Sequence, residues 1–109
     1  MKMLKKEAEQ RQAVEMLCTD MLVPREHLLR KIDAAVNFAR IYELVEDFYC
    51  EDNGRPSCDP VVLFKLVMIQ HLFGIRSLRQ TMRDAEVNVA YRWFLGYTMS
   101  QQLPHFATI

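Results

Sequence analysis

Apolar residues recur along the chain at helical rather than strand spacing. Leu28, Leu29, Ile32, Ala35 and Val36 fall on one face of a helix over residues 25–36. Phe38, Ile41, Tyr42, Leu44, Val45, Phe48 and Tyr49 do the same over residues 37–49, with Glu43, Glu46 and Asp47 on the other side. Between Val61 and Phe73 the pattern changes, because apolar residues run almost all round. That predicts a helix at the centre of the core. No stretch alternates with period two for long enough to specify a sheet, and no internal repeat is present.

Start and stop signals frame these segments. Asp59 is a good N-cap, Pro60 suits the first helical position and Gly74 is a plausible stop. Ser77 and Gln80 have capping-box spacing and open a short helix to about Ala85. Asn88 caps a last helix through Ala90, Tyr91, Trp93, Phe94 and Leu95, ended by Gly96. Upstream, a run rich in Glu, Lys, Gln, Ala and Met predicts an amphipathic helix over residues 4–18. It breaks at Asp20-Met-Leu-Val-Pro24, since the residue before a proline is pushed out of the helical region. Residues 50–59, with Asn53-Gly54 and Pro56, read as a loop, and the tail from Thr98 carries Pro104 and little periodicity.

The expected fold is therefore all-α, a compact bundle of five to six short helices. Its C-terminal half is helix-turn-helix-like, with a long helix, a tight turn at Gly74 and a short following helix. Residues 1–20 are expected to form the N-terminal amphipathic helix, 21–100 the helical domain and 101–109 the start of a linker.

Composition changes the picture only in places. A chain of 109 residues, half of them hydrophobic and with only three Gly and four Pro, holds one domain with a genuine core. The 14 basic and 14 acidic residues cancel, so the chain is no polycation. The cancellation is uneven: residues 21–60 are acidic on balance, whereas 61–109 carry Lys65, Arg76, Arg79, Arg83 and Arg92 against Asp84 and Glu86. A polyanion would find its partner charges in that C-terminal half. Cys18, Cys50 and Cys58 do not form a disulfide framework, and no signal peptide or membrane span is visible. The expectation is a soluble, cytoplasmic protein with reduced thiols.

The candidate chemistry lies in the same half. Arg76, Arg79, Gln80 and Arg83 surround a short capped helix whose Leu78, Met82 and Ala85 face inward. Arg and Gln read base edges bidentately, and Arg also holds phosphate, so this is the shape of a recognition helix. An ordinary solvated face fits the same pattern, and both readings stay open here. The run Tyr91-Arg-Trp-Phe-Leu-Gly-Tyr97 reads as core, with Arg92 left over as a possible phosphate contact.

Other chemistries find no support. Glu43, Glu46, Asp47, Glu51 and Asp52 lack EF-hand order and read as a solvated acidic surface. The cysteines and His27, His71 and His105 miss zinc spacing, and no base or orienting carboxylate is placed beside a cysteine. No glycine-rich phosphate loop occurs, and the seven methionines read as core filling. No metal, cofactor or small-molecule substrate is expected.

Several ordered motifs carry a resemblance. Leu22-Val-Pro-Arg-Glu-His-Leu-Leu-Arg-Lys-Ile32, Tyr49-Cys-Glu-Asp-Asn-Gly-Arg-Pro-Ser57 and Asp59-Pro-Val-Val-Leu63 come first. Gly74-Ile-Arg-Ser-Leu-Arg79, Tyr91-Arg-Trp-Phe-Leu-Gly96 and Leu103-Pro-His-Phe follow. Together, over about residues 20–107, the chain resembles the N-terminal domain of InsH-type bacterial insertion-sequence transposases. Their C-terminal part is an RNase H-like domain with a DDE catalytic triad. The resemblance implies a DNA-binding, assembly-forming domain that brings the transposon's terminal inverted repeats to a separate catalytic module. None of the catalytic acids can be carried onto this chain, so it is expected to be a truncated, non-enzymatic fragment. Two departures, Cys58 in place of an apolar residue and Pro104-His-Phe-Ala in place of a Pro-Asp-His-Ser type turn, fit a truncated or decayed copy. A protein–protein dimerisation or assembly module, built on the first helix and the Val61–Phe73 helix, is the alternative.

Overall fold

The computed structural model describes residues 9–50 and 59–104, with the backbone alone for 45–50. Six α-helices and no strand occur among them. They are α1 Thr19–Leu22, α2 Leu28–Ala35, α3 Phe38–Cys50, α4 Pro60–Leu72, α5 Leu78–Val87 and α6 Val89–Leu95.

The helix boundaries follow capping chemistry. Asp59 Oδ1 accepts from the Val61 amide at 2.8 Å, Ser77 Oγ from Gln80 at 3.0 Å and Asn88 Oδ1 from Tyr91 at 3.1 Å. Each satisfies an amide that the first helical turn leaves without a partner. The capping box at α5 is only half made, because the Gln80 side chain turns toward Asp84 instead of back to Ser77. α2 has an imidazole cap that the sequence pattern did not suggest: the Leu29 amide donates to His27 Nδ1 at 3.0 Å. Gly74 and Gly96 end α4 and α6 with φ of +62° and +89°. In both, the following amide donates back five residues, Ile75 to Gln70 O and Tyr97 to Arg92 O. These are Schellman closures, and they need the left-handed conformation that glycine adopts without strain.

Over its described part, residues 9–18, the first expected helix does not form. Residues 9–18 carry no helix beyond a turn at 11–12, and Val14 and Met16 are almost fully exposed. Residues 1–8 lie outside the described part. Sparse apolar positions give such a segment little to bury, and short helices without packing are marginal in water. The helix instead begins at Thr19 and ends before Val23-Pro24, so the segment expected to break the helix contains its one turn.

That turn is fixed by Arg30. Its guanidinium donates to the Asp20 carbonyl at 2.6 Å, to Val23 O at 2.9 Å and to Pro24 O at 3.1 Å. It also pairs with Asp20 Oδ1 at 3.0 Å and lies 4.6 Å from the Trp93 ring centroid. Trp93 Nε1 donates to the same Asp20 oxygen at 2.8 Å. The indole donor first, then Arg30, hold the Asp20 carboxyl below its ordinary range. An open groove beside α1 is lined by residues 20–25 and Arg30, so its carbonyls at 20, 23 and 24 are already engaged.

The core centres on α6 rather than on α4. α6 packs against α1, α2, α4 and α5, and Phe94 receives Phe38 of α3 edge-on at 5.7 Å. Ala90, Tyr91, Phe94 and Leu95 join Val23, Leu29, Val62, Leu66, Ile69 and Ala85 in one cluster. α4 supplies four buried residues to the interior, yet Phe64 and Leu72 of α4 and the following Phe73 are each about two-fifths exposed. An all-round apolar helix here covers one side of the bundle and leaves its other side to water. Lys65 resolves its own position by laying its stem inward. Its Nζ donates to Phe94 O at 2.8 Å and sits 4.5 Å from the Phe38 ring. Burial lowers its pKa.

Candidate nucleic-acid interface

α4, the Gly74 closure and α5 form a continuous unit, with α4 and α5 packed on each other and α5 also on α6. α5 turns Thr81 and Ala85, both fully buried, toward the core, with Leu78 and Met82 packed alongside. Thr81 was not expected on the inner face. Its hydroxyl is satisfied locally, donating to Ser77 O at 2.9 Å, which lets a polar side chain occupy an apolar site.

The opposite face carries the arginines. Arg79 and Arg83 are exposed and four residues apart, about 6 Å along the helix axis. Arg76, also exposed, immediately precedes the Ser77 cap. Among the described residues no carboxylate lies within ion-pair distance of any of the three. Three guanidinium groups thus leave the surface around one short helix with their charge uncompensated at contact range, a geometry suited to the oxygens of a polyanion.

Two expected members are placed differently. Gln80 is half-buried on the flank of this face, its Nε2 donating to Asp84 Oδ1 at 2.8 Å. Arg92 is not on the surface at all, being 6% exposed within α6. Its Nε donates to Glu86 O at 3.2 Å and its Nη1 to Thr98 O at 2.8 Å and Gln101 O at 2.7 Å. The guanidinium ties the end of α5 and the tail at 98–101 to α6, so its donors are engaged with protein carbonyls rather than presented to solvent. Its neighbours in sequence were rightly read as core: Tyr91, Phe94 and Leu95 are buried. Charge alone marked Arg92 as a ligand contact, whereas its place between Tyr91 and Trp93 on a mostly buried helix was the signal against it.

The transposase domain family (DUF772) matches residues 17–109. The chain belongs to that family. The match takes in all six described helices and leaves out residues 1–16. No curated protein and no solved structure matches this transposase domain.

Sequence reasoning missed Val87 and Asp84 as features of the transposase domain's α5. Val87 is 84% exposed on the arginine side. Asp84 lies one helical turn beyond Gln80, and that i, i+4 spacing was the available clue to their hydrogen bond. Among the described residues of the transposase domain, no group of three or more His, Cys, Asp or Glu could hold a metal ion. No described helix is long and apolar enough to cross a membrane.

Proposed function

We propose that this domain is the DNA-binding N-terminal module of an InsH-like, DDE-type insertion-sequence transposase, acting in the cytoplasm on the transposon's terminal inverted repeats. In this reading it binds duplex DNA without cutting it, and strand transfer belongs to an RNase H-like module carried by other residues. Residues 101–109 begin the connection to that module. α4, the Gly74 turn and α5 act as a helix-turn-helix, with α5 as the element that meets the duplex. The observation that carries the reading is the exposed set Arg76, Arg79 and Arg83, unpaired among the described residues, around a capped helix in a transposase-family domain.

The test is a gel shift across a salt series with inverted-repeat and scrambled duplexes. Binding through three phosphates gives a log–log salt slope of roughly −2.7. Replacing Arg76, Arg79 and Arg83 together by Ala should flatten that component while circular dichroism stays unchanged. A slope that survives the triple replacement would refute the assignment to α5.

Exposed apolar side chains favour a second reading, self-association through the outer side of α3 and α4. Leu44 is 63% exposed, and Phe64 and Leu72 are each about two-fifths exposed. Sedimentation should then show dimers that Phe64→Ser dissociates and the arginine replacements leave intact.

A further inference from the structure

The hydrogen bond between Gln80 and Asp84 gives the proposed DNA-binding face a chemical preference. With about 100° of rotation per residue, Arg79 and Arg83 sit side by side in the middle of the outward arc of α5. Gln80 and Val87 lie on one flank of that pair, and Asp84 lies just beyond them. Gln80 is therefore beside the arginines, close enough to share one ligand with them.

Asp84 determines which atom Gln80 can offer. A carboxylate only accepts, so the atom facing Asp84 Oδ1 at 2.8 Å is the amide nitrogen. The amide orientation follows, leaving Oε1 as the atom at the other corner. Among the described residues no donor reaches Oε1, and no buried side-chain oxygen or nitrogen lacks a partner. Oε1 is thus open to solvent. A free glutamine amide turns over easily and offers its NH₂ to a carbonyl as readily as its oxygen to an amine. Held at one corner, it spends one N–H on Asp84 and fixes the place of Oε1 as its acceptor, with the second N–H beside it.

We infer that Gln80, fixed by Asp84, is a specificity-determining residue that accepts from an exocyclic amino group in the major groove. The groups available there are N6 of adenine and N4 of cytosine, whereas guanine and thymine present carbonyl oxygens at the corresponding edge. Two acceptors facing each other repel, so Oε1 aimed at that edge favours A or C over G or T. Arg79 and Arg83 supply the phosphate or guanine contacts that bring the amide to the groove. Asp84 acts as a positioning residue, and its negative charge near the backbone lowers general affinity. This inference rests on α5 meeting duplex DNA as proposed above.

Because Asp84 both aims the amide and repels phosphate, its removal moves affinity and selectivity in opposite directions. A residue that merely stabilised the helix would lower both. The experiment selects bound duplexes from a random-sequence library using the full chain. The wild-type protein should enrich A or C over G and T at one position by about tenfold. Asp84→Ala should bind unselected duplex more tightly and lose that preference. Asp84→Asn, which keeps a carbonyl acceptor for Gln80, should retain it. Gln80→Ala should lose it. In the selected duplex, purine in place of adenine, or a pyrimidinone lacking the amino group in place of cytosine, should bind less well than the selected base and better than G or T. This arm separates the two bases. Equal base preferences for wild type and Asp84→Ala would overturn the role given to the pair, while salt-dependent binding persists. Absence of any salt-dependent duplex binding would instead overturn the DNA-binding reading itself, and this inference with it.

Discussion

Replacing Arg92 by Ala separates a structural arginine from the ligand-binding ones. The guanidinium makes three hydrogen bonds to backbone carbonyls, at Glu86, Thr98 and Gln101, and is 6% exposed. A hydrogen bond with one charged partner contributes about 1.5–3 kcal/mol, so three would give roughly 5–9 kcal/mol if they simply added. They do not add here. Glu86, Thr98 and Gln101 are themselves exposed residues, so their carbonyls can turn to water, and the truncation also removes a charge that was costly to bury. A loss of about 3 kcal/mol is the reasonable expectation, which lowers the melting temperature by roughly 12–24 °C in a domain of this size. Arg92→Lys should recover only part of it, since one ammonium cannot span three carbonyls as a planar fork does. Thermal unfolding followed at 222 nm gives the stability, and a salt series of duplex binding below the transition gives the DNA contact. Arg92→Ala should unfold early and keep the wild-type salt slope. If it stays within about 1 kcal/mol of wild type and loses affinity for DNA, the burial argument is wrong and Arg92 touches phosphate.

Other expectations are simpler to check. Leu66→Ala removes a side chain 2% exposed, and should cost about 2–5 kcal/mol in urea unfolding without altering the denaturant slope. Gly96→Ala meets no atom within 4 Å, so its cost is conformational only, about 1–2 kcal/mol for a φ of +89°. Tyr42 donates to Asp59 Oδ2 at 2.5 Å, and that bond, then burial and the carboxylate's charge, push its phenol up to about 12 from 10.0. A raised pKa means that the contact stabilises fully below pH 10 and is lost as pH rises from 10 toward 12. Burial also raises the Tyr91 and Tyr97 phenols, so absorbance at 295 nm should show a tyrosine titration that ends near 12, and Asp59→Asn should draw its last step back toward 10.

Much of the fold was legible because the decisive signals are local. Asp59-Pro60, Ser77 and Asn88 state their roles in their own side chains, Gly74 and Gly96 in the lack of one, and each stands where caps and left-handed glycines must. What the sequence concealed depends on contacts far apart in the chain. Arg30 fastens to carbonyls of α1, and Trp93 reaches Asp20 across 73 positions, so no window of neighbouring residues announces α1. The enclosed position expected for α4 failed for a related reason. Hydropathy reports what a helix prefers, whereas burial depends on how many neighbours the bundle has left, and α6 has the more central place. At the candidate site, periodicity correctly turned Arg79 and Arg83 outward, while exposure depended on which helix each arginine occupies. Arg92 looked equivalent to them in charge and is their opposite in environment.

The aromatic seat of Lys65 makes this amine a reporter on the closure of the bundle. With its proton shared with the Phe94 carbonyl and the Phe38 ring close against it, it is shielded from an acylating reagent that attacks exposed Lys31 freely. Labelling of Lys65 therefore requires its bond to Phe94 O to break and Phe38 to move aside, and the ratio of the two labelling rates measures how often that opening occurs.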